Sequence, residues 1–308
     1  MRGQEKSMQV FKLRNKKLGN RFKREYRMAY VFLMLWTVGM ILFYLYPFVS
    51  SLQLSFTNAN LVGGKWIGFD NYVRMFTEDK RFLKSLRVTT IYAIFGVPLK
   101  LIFALFLAML LRNGATFFRT ALYIPSLIGS SVAVAVMWRQ LFGDSGMISA
   151  IAMLFGIPAK NWIGLPETAL PVLIVLAVWQ FGSSMVVFIA GLKSIPNILY
   201  EAATVDGVGK AQQFFHVTLP MLSPTIQFNL IMQLVGAFQV FTQGYIITQG
   251  GPMDNTLFTV LYIFQEGFVR MRMGYASAMS WILFLIVSAI AVLIFRSSKY
   301  WVYYQNEK

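Results

Sequence analysis

The sequence predicts an all-α integral membrane protein with six transmembrane helices. Only 13% of its 308 residues are charged, whereas a soluble globular domain carries about a quarter. Apolar runs long enough to cross the hydrocarbon core as a helix, about twenty residues, recur along the chain. The net charge of +16 is concentrated in a few segments. That distribution is typical of a membrane topology signal and argues against binding to nucleic acid.

Six segments qualify as spans. In chain order they are residues 28–48, 86–111, 120–142, 169–192, 223–248 and 275–295. The second contains Lys100 and has Arg87 at its edge, and the third has Arg139 near one end, where we expect its side chain to snorkel. The first span is too long for the apolar region of a signal peptide, and no small-x-small cleavage site follows it. We therefore expect it to be a retained anchor.

Lysine and arginine predict the orientation of the spans. Seventeen of these residues lie on one side of the membrane, in residues 1–27, 112–119, 193–222 and 296–308, and ten of the seventeen precede the first span. The connections on the opposite side carry eight. The positive-inside rule then places both termini in the cytoplasm. The predicted organisation is a basic cytoplasmic tail, residues 1–27, and a six-span domain, residues 28–308, in contact with membrane lipid.

A polar stretch, EAATVDGVGKAQQFFHVTLP at 201–220, interrupts the apolar pattern in the cytoplasmic loop 193–222. Helical spacing places Ile198, Leu199, Ala202 and Val205 on one face of a short helix that Gly207 can end. A second amphipathic helix follows and is expected to close at Leu219-Pro220. Glu201 and Asp206 are left facing water or a partner. The shape suits docking into a groove, and the alternative is an interfacial loop that only joins two spans.

The spacing of this stretch resembles the EAA loop of permease subunits of binding-protein-dependent ABC importers. The resemblance rests on Glu-Ala-Ala, on Gly at the seventh place and on Leu-Pro at the nineteenth and twentieth; Val208 and Val217 are mild departures. WIGFDNYVRMF at 66–76 and QGGP at 249–252 are similar to the sugar-importer permeases related to the maltose and glycerol-phosphate systems.

The resemblance implies a type I ABC importer permease fold in the bacterial cytoplasmic membrane. It implies a second, different permease subunit, two ATP-binding subunits, an extracytoplasmic solute-binding protein and a sugar as substrate. ATP and magnesium would bind to the partner ATPase, with no cofactor on this chain. The residues implied in coupling to the ATPase are Glu201, Ala202, Ala203, Asp206, Gly207, Leu219 and Pro220.

The chain carries no ATPase signature of its own. In GVGK at 207–210, Thr204 stands where a phosphate-binding loop needs its first glycine, and Ala211 stands where it needs a hydroxyl. With no cysteine and a single histidine, His216, the sequence predicts no metal site. No nucleophile–base pair or carboxylate pair suggests an enzyme active site.

Sugar recognition needs hydroxyl and amide groups beside aromatic faces near the membrane midplane. The candidates for the substrate path are Trp179, Gln180, Ser183, Asn229, Gln233, Gln239, Ser130 and Lys100, with Ser131, Ser184, Thr242 and Gln243 beside them. The alternative for each polar residue is a hydrogen bond between helices. Lys100 either faces the path and favours an acidic sugar, or pairs with a carbonyl or a partner residue.

Other function classes remain open from the sequence. The permease could serve another small polar solute, or the chain could be a stand-alone secondary carrier. The predicted spans contain no acidic residue, which counts against an ion-driven carrier. A purely scaffolding protein would leave the polar residues inside the spans unexplained.

Overall fold

The computed structural model describes residues 26, 28, 30, 32–60, 62–112, 114, 116–129, 131–158 and 160–303, in two compact units, residues 1–54 and 55–308. Helix α1, Phe32–Ser55, makes up most of the described part of the first unit. It extends past the predicted end at residue 48, and large apolar side chains such as Trp36 and Phe43 are exposed on it. Such a helix suits contact with lipid or another chain. The tail 1–27 lies, except for Tyr26, outside the described residues.

The second unit is helical. Its helices are α2 Asp70–Thr77, α3 Lys80–Leu111, α4 Thr116–Ile128, α5 Val132–Leu141, α6 Met147–Leu154, α7 Ala169–Trp179, α8 Gly182–Ser194, α9 Asn197–Val205, α10 Lys210–Phe238, α11 Thr259–Phe264 and α12 Met273–Trp301. Within the described ranges the only β-structure is an isolated antiparallel bridge between Thr57 and Trp66. The all-helical class predicted from the sequence is confirmed.

The predicted spans differ in how continuous their helices are. Helices α1, α3, α10 and α12 are each long and apolar enough to cross a membrane. The third and fourth predicted spans are broken helices: α4 and α5 meet at 93°, and α7 and α8 meet at 43°. By length and composition, the described chain therefore has four candidate spans, or up to six if each bent pair is one span.

The core of the second unit forms around α3. Phe82, Phe188 and Phe258 are fully buried, and the Tyr92 and Phe258 rings meet edge-on with centroids 5.0 Å apart. Gly191 brings α8 close to α10, because a Cβ at that position would lie 2.6 Å from Thr225 Oγ1. Small residues of this kind let membrane helices pack with their backbones close together.

The start of the fifth span differs from the prediction. The sequence predicts that Leu219-Pro220 closes a short helix and that the span begins at residue 223. Instead, α10 runs without interruption from Lys210, with a π-helical turn at Phe214–Thr218. Proline lacks the N–H that an α-helical bond needs, and the wider π-helical turn just before Pro220 accommodates this gap. The second half of the polar stretch is therefore continuous with the span.

Candidate functional site

Helix α9 presents an apolar surface to solvent. We call Ile198, Leu199, Ala202 and Val205 the docking ridge; all four are exposed, and Val205 is 88% exposed. Phe215, on the first turns of α10, is also exposed. Apolar side chains are unfavourable when they are exposed to water. Burying them against another surface is favourable by about 25 cal/mol per Å² of apolar surface removed from water. The ridge has the form of a contact site for another protein.

The backbone at the end of α9 holds the ridge in place. Gly207 has a φ of +74°, its N–H donates to the Thr204 carbonyl, and the Val208 N–H donates to the Ala203 carbonyl. This is the Schellman arrangement, in which glycine takes the left-handed position at the end of a helix. The Gln213 amide donates to Val208 O over 2.9 Å and so ties the turn to α10.

Two further contacts fix α9 to neighbouring elements. The Tyr200 and Thr218 hydroxyls lie 3.0 Å apart, and the Arg112 guanidinium lies 5.1 Å from the centre of the Tyr200 ring. Arg112 belongs to the connection between α3 and α4. A force applied to α9 would therefore reach both α10 and the end of α3.

The acidic side chains beside the ridge are free. Glu201 and Asp206 are exposed, and neither side chain forms an ion pair or hydrogen bond with a described residue. Ala203 is half-buried, as are Leu219 and Pro220, which lie inside α10. His216 Nδ1 lies 3.1 Å from the Gln212 carbonyl. Most of the predicted coupling residues thus lie on or just after the exposed helix α9, where two carboxylates are free. Leu219 and Pro220 lie in α10, to which α9 is attached.

A polar cavity lies between α3, α7 and the end of α10. We call it the amide cavity; its volume is about 290 Å³, near the lower end of the roughly 300–1,000 Å³ of small-molecule pockets. Its polar wall consists of Lys100, Gln180, Gln233, Gln239, Thr242 and Gln243. Tyr92, Gly96, Ala177 and Gly236 line it as well. Four of the predicted substrate-path residues, on three separate elements, therefore meet at one cavity.

Lys100 is the charged group of the amide cavity. Its side chain is partly buried, and it has no ion pair or hydrogen bond to any residue in the described ranges. Pro98 stands two residues before it inside α3. An unpaired ammonium inside a span is costly, and this one faces the cavity rather than a carboxylate of its own chain.

An interruption of the fifth span supplies the far wall of the amide cavity. The regular helix ends at Phe238, and a π-helical turn follows at Gly244–Thr248. Gln239 and Gln243 lie in or beside the gap, and both line the cavity. Irregular backbone inside a membrane protein is tolerated where it lines a cavity, and broken helices commonly build transporter sites.

Other predicted path residues do not line the amide cavity. Trp179 contacts Trp138, with ring centroids 6.0 Å apart. Ser183 is half-buried on α8, and Asn229 is buried on α10 with its Nδ2 atom unpartnered among the described residues. Ser131 caps α5 by accepting from the Val134 N–H. Ser130 lies outside the described residues.

Gln180 connects the amide cavity with the two broken spans. It caps the end of α7, and its Nε2 atom donates to the Gly129 carbonyl over 2.9 Å. A Cβ at Gly129 would lie 2.4 Å from the Gln180 Cγ atom. Glycine is therefore required for the close approach between these two helix ends.

A group of residues at the start of α3, the end away from α9, holds the segment 249–275 to that helix. The sequence analysis did not identify this group. We call it the latch, and it consists of Asp79, Arg81, Asp254, Tyr262 and Tyr275. Asp79 caps α3 by accepting from the Phe82 N–H, and it accepts hydrogen bonds from Tyr262 over 2.7 Å and Tyr275 over 2.6 Å. Arg81 pairs with Asp254 through two hydrogen bonds of 2.7 and 2.8 Å. No short sequence motif signals these pairs, because their members lie 173 to 196 residues apart.

The carboxyl groups of the latch are held in their charged form. Burial raises the pKa of Asp79, but hydrogen bonds from Tyr275, the Phe82 N–H and Tyr262 outweigh it, and the pKa lies below its ordinary value. The hydrogen bond from Arg81 lowers the pKa of Asp254 in the same direction. Nearby, Glu266 is fully buried and pairs with Arg270 and Arg272. Asp79 is thus stabilised by hydrogen bonds from neutral donors, whereas Asp254 and Glu266 are each paired with arginine.

The described residues contain no group of three or more His, Cys, Asp or Glu side chains that could hold a metal ion. The candidate sites in the described part are instead the apolar docking ridge of α9 with two free carboxylates beside it, the polar amide cavity between the helices, and the latch at the start of α3.

The chain is similar to membrane components of bacterial transport systems. Residues 75–302 match the family described as binding-protein-dependent transport system inner membrane component. A probable ABC transporter permease protein of Bacillus subtilis, YesP, is 49% identical over 91% of this chain and 93% of its own. The lactose transport system permease protein LacF of Rhizobium radiobacter is 32% identical over 83% of this chain and 89% of its own.

A solved structure has the same fold. It is a bacterial ABC transporter described as involved in the import of the acidic polysaccharide alginate. The match has a TM-score of 0.76 at 23% identity and covers 92% of this chain and 98% of the other.

Proposed function

The chain belongs to the binding-protein-dependent transport system inner membrane component family, a family of multi-pass proteins of the cytoplasmic membrane, and on that basis we propose that it imports a saccharide driven by a separate ATPase. Membership confirms the resemblance drawn from residues 201–220. It also makes the chain a transport component rather than an enzyme. In the proposed assembly, the loop 193–222 docks into the ATPase, and an extracytoplasmic binding protein delivers the substrate.

The observation that carries the proposal is the docking ridge on α9 with its free carboxylates. Burying Val205 and Ile198 in a cleft of the ATPase would recover apolar free energy. Glu201 and Asp206 would meet basic residues of the ATPase at the rim of that cleft. Since α9 is tied to α10, movement of the docked ridge would reach the amide cavity along one continuous helix.

The amide cavity supports a saccharide as the transported solute. Four amide side chains and a threonine hydroxyl offer donors and acceptors that match sugar hydroxyls. Lys100 adds an unpaired cation, which favours a saccharide with a carboxylate or a sulfonate. The residues we assign to the path are therefore Lys100, Gln180, Gln233 and Gln239. Trp179, Ser183 and Asn229 are assigned to the helix packing around the cavity.

We assign four kinds of partner to the chain: a second permease in a heterodimer, two ATP-binding subunits, the binding protein and the saccharide. ATP and magnesium bind to the ATPase in this account. A second candidate function is a permease for another small polar solute, which the same cavity chemistry would also serve. A stand-alone carrier would have no partner protein to bind the exposed docking ridge.

The experiment is a pull-down of the tagged chain from its native membrane. Gly207→Trp places an indole beside the ridge, where a Cβ meets no atom within 4 Å. Gly156→Trp is the matched control, because Gly156 has a φ of +76° and equally open surroundings. We expect the wild type and Gly156→Trp to retain a second permease and an ATPase, and Gly207→Trp to lose the ATPase. Recovery of this chain alone from all three in mild detergent would contradict the proposal.

A further inference from the structure

A second cavity lies on the face of α3 that points away from the amide cavity. It is a groove of about 710 Å³ between the start of α3 and the start of α7. Helix α3 gives it Lys84, Arg87 and Ile91, whereas it gives Gly96 and Lys100 to the amide cavity. At about 100° per residue, the two sets point to largely opposite sides of the helix. The groove is therefore separate from the path assigned to the substrate.

On each wall of the groove, charged residues near the helix start are followed by apolar residues further along the helix, and Leu83 and Pro166 line the outer end beside the charges. On α3, Lys84 and Arg87 stand near the helix start, and Ile91 stands one turn, about 6 Å, further in. On the other wall, Glu167 precedes α7 and Leu170 belongs to its first turn. This order matches the membrane itself, in which polar headgroups lie outside acyl chains.

The groove holds opposite charges that are not paired with each other. Arg87 and Glu167 are both exposed, and neither forms an ion pair or hydrogen bond with a described residue. Lys84 donates to the Met253 carbonyl, which leaves further donors on its ammonium group. A ligand with an anionic group and a cationic group would satisfy both walls.

We propose that this groove binds a glycerophospholipid with an ethanolamine headgroup. The phosphate accepts from Arg87 and Lys84, the ammonium group donates to Glu167, and an acyl chain covers Ile91 and Leu170. A saccharide fits less well, because none of the described lining residues is aromatic and sugar rings are usually stacked on aromatic faces. A purely apolar segment of a partner permease also fits less well, because it would leave the charges of Lys84, Arg87 and Glu167 without charged partners.

The test is native mass spectrometry of the complex as purified from its membrane, incubated with equal amounts of phosphatidylethanolamine, phosphatidylglycerol and phosphatidylcholine of distinct acyl mass. We expect retained phosphatidylethanolamine to exceed phosphatidylcholine about two- to fivefold, as for one exposed ion pair. Arg87→Gln should reduce retention of all three lipids. Glu167→Gln should remove only the preference for phosphatidylethanolamine. Arg139→Gln, an exposed basic residue on α5 that does not line the groove, is the control.

Three outcomes would overturn the proposal. The first is equal retention of the three lipids by the wild type and all variants. The second is displacement of the bound lipid by glycerophosphoethanolamine at the concentration of the intact lipid, because the acyl contacts would then contribute nothing. The third is loss of the second permease from Arg87→Gln, which would assign the groove to a protein interface.

Discussion

In the proposed path, Lys100 is the residue that we expect to set which class of saccharide is favoured. It is the one basic side chain among the described residues that line the amide cavity, and amides and a threonine hydroxyl make up the rest of its polar wall. An ammonium group in a partly desolvated cavity binds a carboxylate more strongly than a hydroxyl. Removing its charge should therefore change selectivity rather than assembly.

We predict that Lys100→Gln lowers uptake of an acidic oligosaccharide but not of a neutral one. The lost charge-assisted hydrogen bond is worth about 1.5–3 kcal/mol, so uptake of a uronic-acid oligosaccharide below saturation should fall about tenfold or more. The measurement compares radiolabelled acidic and neutral oligosaccharides of equal length. Arg139→Gln, an exposed basic residue on α5 that does not line the amide cavity, is the control. Equal loss of both substrates would indicate a structural role for Lys100.

The polar residues of the path could be listed from the sequence, but their positions could not. Gln180 and Trp179 are adjacent in a span that is apolar on every side, so hydrophobic periodicity does not reveal which face points inward. In the structure, Gln180 reaches the amide cavity, and Trp179 packs on Trp138. The different positions of Gln180 and Trp179 depend on the break between α7 and α8. The sequence does not predict this break, because residues 179–181 contain neither proline nor glycine.

Among the elements, the latch joins α3 to the segment that follows the fifth span. Asp79 receives hydrogen bonds from Tyr262 beside α3 and from Tyr275 on α12. The segment it holds begins just after the residues that line the amide cavity. The latch therefore stabilises the end of the molecule opposite α9.

We predict that Asp79→Asn lowers the thermal unfolding midpoint of the purified complex. The lost hydrogen bonds to a charged group correspond to about 1–3 kcal/mol. Because folding lowers the pKa of Asp79, its contribution is present above the ordinary carboxyl pKa of about 3.9 and is lost as the pH falls below it. The difference between wild type and variant should thus be constant from about pH 5 to 8 and shrink below about pH 4. Glu78→Gln, on the neighbouring exposed residue, should show neither effect.

Sequence reasoning was most accurate for α9, because local signals define that element. The helical spacing of Ile198, Leu199, Ala202 and Val205 and the glycine at 207 predict a short helix with an apolar ridge. In the structure α9 ends just before Gly207, and the ridge is exposed. The predicted end of the next helix at Pro220 was wrong, because the π-helical turn before the proline lets α10 continue. The latch was missed because distant segments form it.

On the scale of the whole molecule, the predicted orientation in the membrane rests on the distribution of charge. The predicted orientation places α9 in the cytoplasm and the latch outside. The chain contains no cysteine, so a single introduced cysteine reports its own location. Val205 and Met253 are 88% and 78% exposed, and both accept the substitution without disturbing the core.

We predict that Val205→Cys in intact cells is protected from a membrane-impermeant maleimide and that Met253→Cys is labelled. Permeabilising the cells should expose Val205→Cys. The wild-type chain, which offers no thiol, is the control for background labelling. Labelling of Val205→Cys in intact cells would reverse the topology and remove α9 from the cytoplasmic ATPase.

The most direct test of the central claim is ATP-driven uptake by the purified complex in proteoliposomes with ATP enclosed and the binding protein added outside. The account predicts that the wild type and Gly156→Trp accumulate substrate and hydrolyse ATP in response to the binding protein, and that Gly207→Trp does neither. Uptake by Gly207→Trp at the wild-type rate, or uptake by this chain alone without ATP, would contradict coupling through α9.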